Sequence, residues 1–254
     1  MAEVIISGQE GRLEGRYHHS KEPNAPVALV LHPHPLHNGN MNNKVTYKLY
    51  KNFVDNGFSV LRFNFRGVGK SEGHFDNGVG ELQDATTALN WLQTQNMNSN
   101  SYWIAGFSFG AWIALHLTMR RPDIENYILV APPVTKYDFN FIVPCFATGL
   151  IIQGKKDQIS KESDTISLYE KLSAKKDVDV RYEPIEEAGH FFANHFDEFN
   201  EILESYTLDK VKYSLNKKIK VKRDRRRRRK KKDPLITKTH QYTSPIKSLS
   251  FFEK

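Results

Sequence analysis

Residues 106–110 read Gly-Phe-Ser-Phe-Gly, between an apolar run, YWIAGF (102–107), and a helical pattern, AWIALHL (111–117). Gly-x-Ser-x-Gly joining a strand to a helix makes a sharp turn that holds its serine exposed above the carboxyl edge of a sheet. Neighbouring backbone in such a turn leaves no room for side chains two places before and after the serine, and glycine fits both places. The N–H of Phe109 then points to where an oxyanion can form. The plainer reading is a glycine-rich turn with an ordinary serine, and the partners of Ser108 decide between the two.

A serine hydroxyl is a poor nucleophile near neutral pH, so a base must take its proton and a third group must orient that base. Two residues downstream fit, each just past a strand-like run. Asp157 follows TGLIIQG (148–154), and His190 follows DVRYEPI (179–185). Taken singly, Asp157 reads equally as a loop carboxylate beside Lys155 and Lys156, or as a helix cap, and His190 as a solvent-facing side chain. Together, in the order Ser108, Asp157, His190, they read as a catalytic triad. Asp138, after NYILVAPP (126–133), is the reserve acid.

A second oxyanion donor is expected from the loop after PVALVLH (26–32), which runs His32-Pro33-His34-Pro35-Leu36-His37-Asn38-Gly39-Asn40. Proline has no N–H, which leaves His34 or Leu36, with His34 preferred. The three histidines also suggest metal ligands, but no neighbouring carboxylate or cysteine completes a set. The chemistry needs neither metal nor cofactor.

The surrounding pattern is that of an α/β chain. A hairpin, Glu3–Ser7 and Arg12–His19, precedes the run at 26–32. Helical spacing of Val45, Leu49, Phe53 and Val54 follows, stopped at Gly57. Then come FSVLRFNF (58–65) and a helix marked by Leu82, Ala85, Leu89 and Leu92. After the Ser108 turn and the strand at 126–133, the run at 148–154 precedes a helix over Ile166–Leu172. The run at 179–185 precedes a closing helix over Phe191–Leu208. Such alternation predicts a mostly parallel sheet with helices on both faces.

A second glycine-rich stretch, RFNFRGVGKSEG (62–73), ends like a phosphate-binding loop. That loop requires glycine at position 64, where Asn64 stands, and a helix starting at Lys70-Ser71, where turn residues follow instead. Nucleotide binding is therefore set aside.

On these motifs the chain resembles the α/β-hydrolase superfamily over about residues 1–208. It is similar in particular to a small bacterial branch with an HPHP loop followed by a segment like NGNMNNKV (38–45). The resemblance implies the α/β-hydrolase fold and hydrolytic chemistry, without naming a substrate. It implies glycine near position 38, where this chain has Asn38. It also assigns Arg66-Gly67-Val68-Gly69-Lys70-Ser71 to the R-G-x-G-x-S turn of that superfamily, with Lys70 a solvated loop residue.

Between the runs at 126–133 and 148–154 lie only VTKYDFNFIVPCFA (134–147), too short for a cap domain. Phe139, Phe141, Ile142 and Phe146 read either as an acyl pocket or, preferably, as the core side of a short helix. The expected reaction is acyl transfer from a small ester to water, with thioesters and small peptides behind.

Of the 254 residues, 39% are hydrophobic, enough for a sizeable core. The opening MAEVIISGQEGR lacks a basic, then apolar, leader. No apolar run approaches the roughly 18 residues that span a bilayer, and Cys145 is the single cysteine. These features point to a cytoplasmic protein. The net charge of +8 is unevenly spread: residues 210–254 hold 18 Lys/Arg and 3 Asp/Glu. That leaves a body of roughly −7 and a tail of roughly +15. The run 217–233, KKIKVKRDRRRRRKKKD, lacks apolar matter to bury, so 209–254 is expected to be a disordered basic tail. It reads as a solvated extension, or as an arm for nucleic acid or anionic lipid.

Overall fold

The computed structural model describes residues 1–99, 101–142, 146–174 and 178–232, with side chains of the last helix described as far as residue 214. Cys145 and the end of the basic tail lie outside the described residues. The chain divides into two units, Met1–Thr207 and Leu208–Lys254.

The first unit is built on one eight-stranded sheet in the order β1-β2-β4-β3-β5-β6-β7-β8. Strands β1 (Ala2–Gly8) and β2 (Gly11–His18) form the expected antiparallel hairpin. β2 also pairs antiparallel with β4 (Ser59–Phe63). From β4 onward every pairing is parallel, through β3 (Val27–Leu31), β5 (Tyr102–Phe107), β6 (Ile124–Val130), β7 (Thr148–Gly154) and β8 (Val180–Ile185). β3 and β4 are buried at every position, as doubly covered parallel strands must be.

Side chains alternate across the sheet, so successive residues feed two cores. Leu29, Leu31, Leu61, Phe63 and Ile104 pack in one cluster with Ala85 and Leu89 of α2 (Val79–Thr94) and Ile113 and Leu117 of α3 (Phe109–Arg120). Trp103 meets Phe53 of α1 (Lys44–Asp55) and Phe58 edge-on, at 5.8 and 5.3 Å, with Tyr206 on its far side at 6.1 Å. α4 (Glu162–Ser173) covers β7 and β8. Gly57 takes φ +82° just beyond α1, a left-handed stop that glycine accepts without steric cost.

The strand order reverses around β3: the chain passes to β4 on one side, then returns to β5 on the other. Ligands of open parallel sheets bind at the carboxyl ends beside such a reversal. The Ser108 turn leaves β5 there, and the His32–Asn40 loop leaves β3.

Two expectations need correction at the carboxyl end. The closing helix α5 starts at Phe196 rather than Phe191, because Phe192 and Asn194 adopt φ +55° and +65°, outside the helical region. It then runs to Lys232 instead of stopping near Leu208. Neither Gly nor Pro interrupts Phe196–Lys232, Lys and Arg are good helix formers, and the first proline beyond is Pro234. No described helix is long and apolar enough to cross a membrane.

The segment after β6 likewise forms turns rather than a short helix over its described residues 131–142. Phe139 is in the core, with Phe141 and Ile142 packed against it, while Phe146 is 82% exposed. The four residues therefore do not line a common pocket.

Candidate active site

Ser108 sits between β5 and α3 with φ +52° and ψ −119°, a conformation that tertiary packing must hold in place. A Cβ at position 106 would lie 2.1 Å from the Gly110 carbonyl oxygen. One at position 110 would lie 2.5 Å from the Leu31 oxygen and 2.6 Å from that of His32. Both glycines are thus required by backbone contact. The Ser108 N–H donates to the Val130 oxygen at 2.8 Å, fastening the turn to β6.

Asp157 lies in the turn after β7 and is 4% exposed. One carboxylate oxygen accepts the N–H groups of Ile159 and Ser160 at 2.7 and 2.8 Å; the other is 2.7 Å from His190 Nδ1. Lys155 and Lys156, the alternative partners, pair instead with Glu186 and Glu187. Backbone bonds from Lys155 to Ile185 and from Lys156 to Ala188 tie the turn to the loop carrying His190.

The His190 ring rests against Phe107 at 5.1 Å, and its Nε2 is 3.0 Å from Ser108 Oγ. With a carboxylate at Nδ1, the proton belongs on that nitrogen and the Nε2 lone pair faces the hydroxyl. Three side chains separated by as many as 82 positions therefore form one buried hydrogen-bonded chain. Asp138 is not in this chain; its carboxylate accepts the Asn140 N–H in a local turn.

The His32 loop distinguishes its two candidate amides. The Leu36 N–H donates to His34 Nδ1 at 3.1 Å and closes a short 3-10 turn. The His34 N–H has no acceptor among the described residues. Phe109, as the first residue of α3, has no acceptor within its helix. The aromatic rings of His34 and Phe109 stand 5.2 Å apart.

His32 anchors the loop from beneath. Its Nδ1–H donates to the Pro33 oxygen at 2.6 Å, and Nε2 accepts the Phe65 N–H at 3.0 Å. Burial pushes its pKa down to about 3, which keeps the ring neutral and Nε2 an acceptor. With both nitrogens engaged, His32 is not free to bind metal, and no described cluster of three or more His, Cys, Asp or Glu is arranged to do so. Asn38 takes φ +59°, the left-handed well that asparagine tolerates best after glycine, so the departure from glycine leaves the turn intact.

Two residues that sequence reasoning passed over hold the far end of this loop. Arg62 donates to the Met41 oxygen and to Asn42 Oδ1, both at 2.6 Å, and stacks on Tyr50 at 4.9 Å. Asn64 Oδ1 accepts the Met41 N–H at 2.8 Å. The available signal was two polar residues inside an apolar strand run. In the neighbouring turn, Gly67 and Gly69 take φ +72° and +58°, as the reversal requires. Arg66 forms a buried two-pronged pair with Asp84 at 2.8 and 3.0 Å. Lys70 is 68% exposed and reaches Glu3.

The family model for X-Pro dipeptidyl-peptidases of the S15 family matches residues 19–144, a span that includes the Ser108 turn but neither Asp157 nor His190. An uncharacterized protein of Rickettsia prowazekii is 51% identical over 212 residues, 82% of this chain and 89% of the relative. A solved α/β hydrolase of unknown function from Agrobacterium tumefaciens is 47% identical with a TM-score of 0.79, covering 84% of this chain and 98% of that one. An α/β serine hydrolase homologue from Coxiella burnetii is 34% identical with a TM-score of 0.74, covering 81% and 96%.

Proposed function

The chain belongs to the α/β-hydrolase superfamily and is a hydrolase of its serine branch, and from that premise we propose that it is a small carboxylesterase acting through Ser108, His190 and Asp157. The observation carrying this reading is the unbroken chain from Asp157 through His190 to Ser108 beside two amides without acceptors.

In the proposed reaction His190 Nε2 takes the Ser108 proton as Oγ attacks the ester carbonyl carbon. The resulting oxyanion accepts the N–H groups of Phe109 and His34. Asp157 keeps the Nδ1 proton in place and stabilises the ring once it is charged. His190 then gives its proton to the departing alkoxide oxygen, leaving an acyl group on Ser108. Water, deprotonated by the same nitrogen, releases the acid and restores the hydroxyl. The shortness of the connection between β6 and β7, which leaves no length for a cap domain, favours a small, accessible ester. The match to a peptidase family supports a second reading, in which the scissile bond is an amide of a short peptide.

The test is turnover of short-chain p-nitrophenyl esters against matched anilides, with labelling by a fluorophosphonate probe. Ser108→Ala is expected to lose turnover by about 10⁴–10⁶-fold and to abolish labelling. Full esterase activity in that variant would reject the assignment. Unlabelled wild-type protein would favour a reading of another class, an inactive hydrolase-fold scaffold that binds nucleic acid or anionic membrane through its basic tail. Faster anilide than ester turnover would favour the peptidase.

A further inference from the structure

Beside Ser108 the ring of Phe109 packs against those of Phe75, Trp112 and Tyr137, with Trp112 and Tyr137 stacked at 4.5 Å. Toward the start of α1 and α5 lies a cavity of about 480 Å³, walled by Asn43, Lys44, Val45, Phe191, Asn194 and Phe196. That volume suits a small organic group. Phe191 connects it to the reaction centre: it follows His190 in the chain, and its ring stands 5.2 Å from the His190 imidazole.

Resting on the esterase reading, we propose that this cavity receives the leaving group of the ester, and that Lys44 selects leaving groups carrying an anion. The side follows from proton transfer. The departing oxygen takes its proton from His190, so the group attached to it extends past that ring toward Phe191.

The charge preference follows from how Lys44 is placed. Helix N-termini are positive, and first turns favour acids. Yet α1 begins with Lys44 and has no acid in its first turn. Lys44 is exposed, and no carboxylate among the described residues pairs with it. An anion in the cavity would meet both this cation and the positive end of α1.

Asp197 also lines the cavity. It stands in the first turn of α5, where that helix's own N-terminus offsets its charge. Lys48 adds a second cation nearby, 5.6 Å over the Phe196 ring. The lining itself thus carries one cation and one carboxylate, with Lys48 as a further cation beside it.

The experiment compares the acetate esters of 4-(hydroxymethyl)benzoate and benzyl alcohol, which share an acyl group and differ in leaving-group charge. The ratio of their kcat/KM values is expected to be about fivefold higher in wild type than in Lys44→Gln, as for a partly exposed ion pair. It should fall further in Lys44→Glu, shrink with added salt, and stay unchanged in the distant control Lys21→Glu. Independently of any turnover, saturation-transfer NMR should show 4-(hydroxymethyl)benzoate binding wild type more tightly than Lys44→Glu, with benzyl alcohol indifferent to the substitution. A kinetic ratio unmoved by Lys44, or equal binding of the acid to wild type and Lys44→Glu, overturns the proposal. Lys44-dependent binding without hydrolysis of either ester keeps the subsite and removes the esterase reading instead.

Discussion

Gly110→Ala tests whether the Ser108 turn and the His32 loop act as one unit. The new Cβ would stand 2.5 Å from the Leu31 oxygen and 2.6 Å from the His32 oxygen. Ordinary contact begins near 3.4 Å, so both carbonyls must retreat by about 0.8–0.9 Å to reach it. Both are backbone atoms at the end of β3, held by pairing with β4 and β5, so strain spreads instead of relaxing locally. Overpacking of this kind costs about 1–3 kcal/mol, or a Tm lower by roughly 2–12 °C for a domain of this size. The shift also carries His34 away from Phe109, and a displacement approaching 1 Å costs about 100-fold in turnover. Thermal unfolding and p-nitrophenyl acetate hydrolysis read the two effects, with near-UV circular dichroism to check that the variant is folded. Activity within threefold of wild type and a Tm within about 1 °C would refute the claim that backbone contact demands glycine here.

His34→Pro removes a single amide donor while suiting the backbone, because His34 already has φ −51°. A loss of about 10²–10³ in kcat is expected, against a far smaller loss for His34→Ala, which keeps the N–H; equal losses would assign the effect to the imidazole instead. The neutral, buried His32 makes stability pH-dependent. Its pKa is near 3 in the folded chain against 6.5 as the reference, so between these values the unfolded chain binds a proton that the folded chain does not. The contribution is fully present above about pH 6.5 and is lost as pH falls toward 3, on the order of 5 kcal/mol in all. His116, half-buried and lowered to about 4, acts with the same sign. Urea midpoints across pH 4–7 should slope less steeply in His32→Gln than in wild type, and parallel slopes would contradict this account.

The legible parts of the fold were those where local pattern and tertiary burial agree. Continuous apolar runs marked β3, β4, β5, β6 and β7, because a strand covered on both faces has no polar side to show. α1 and α2 showed their apolar spacing. The carboxyl helix was misjudged at both ends for opposite reasons. Its start is delayed by left-handed residues that look ordinary in sequence, and its far end continues because like charges in a row do not break a helix as Pro or Gly does. Phe139, Phe141, Ile142 and Phe146 looked alike in sequence, and only packing separated the core residue from the exposed one.

Sequence alone was enough to identify the Ser108 turn, since its glycines answer to backbone contacts made within the turn and with the strand next to it. It also sufficed to nominate Asp157 and His190, since each lies just past a strand-like run, the buried β7 and the half-buried β8. Whether those side chains meet depends on strand order and register, which bring positions 82 apart to within a hydrogen bond. Which of the His34 and Leu36 amides is left without an internal acceptor was equally beyond a linear reading. It turns on which amide the loop engages internally, and that is fixed only when the chain has folded around Arg62, Asn64 and Phe65.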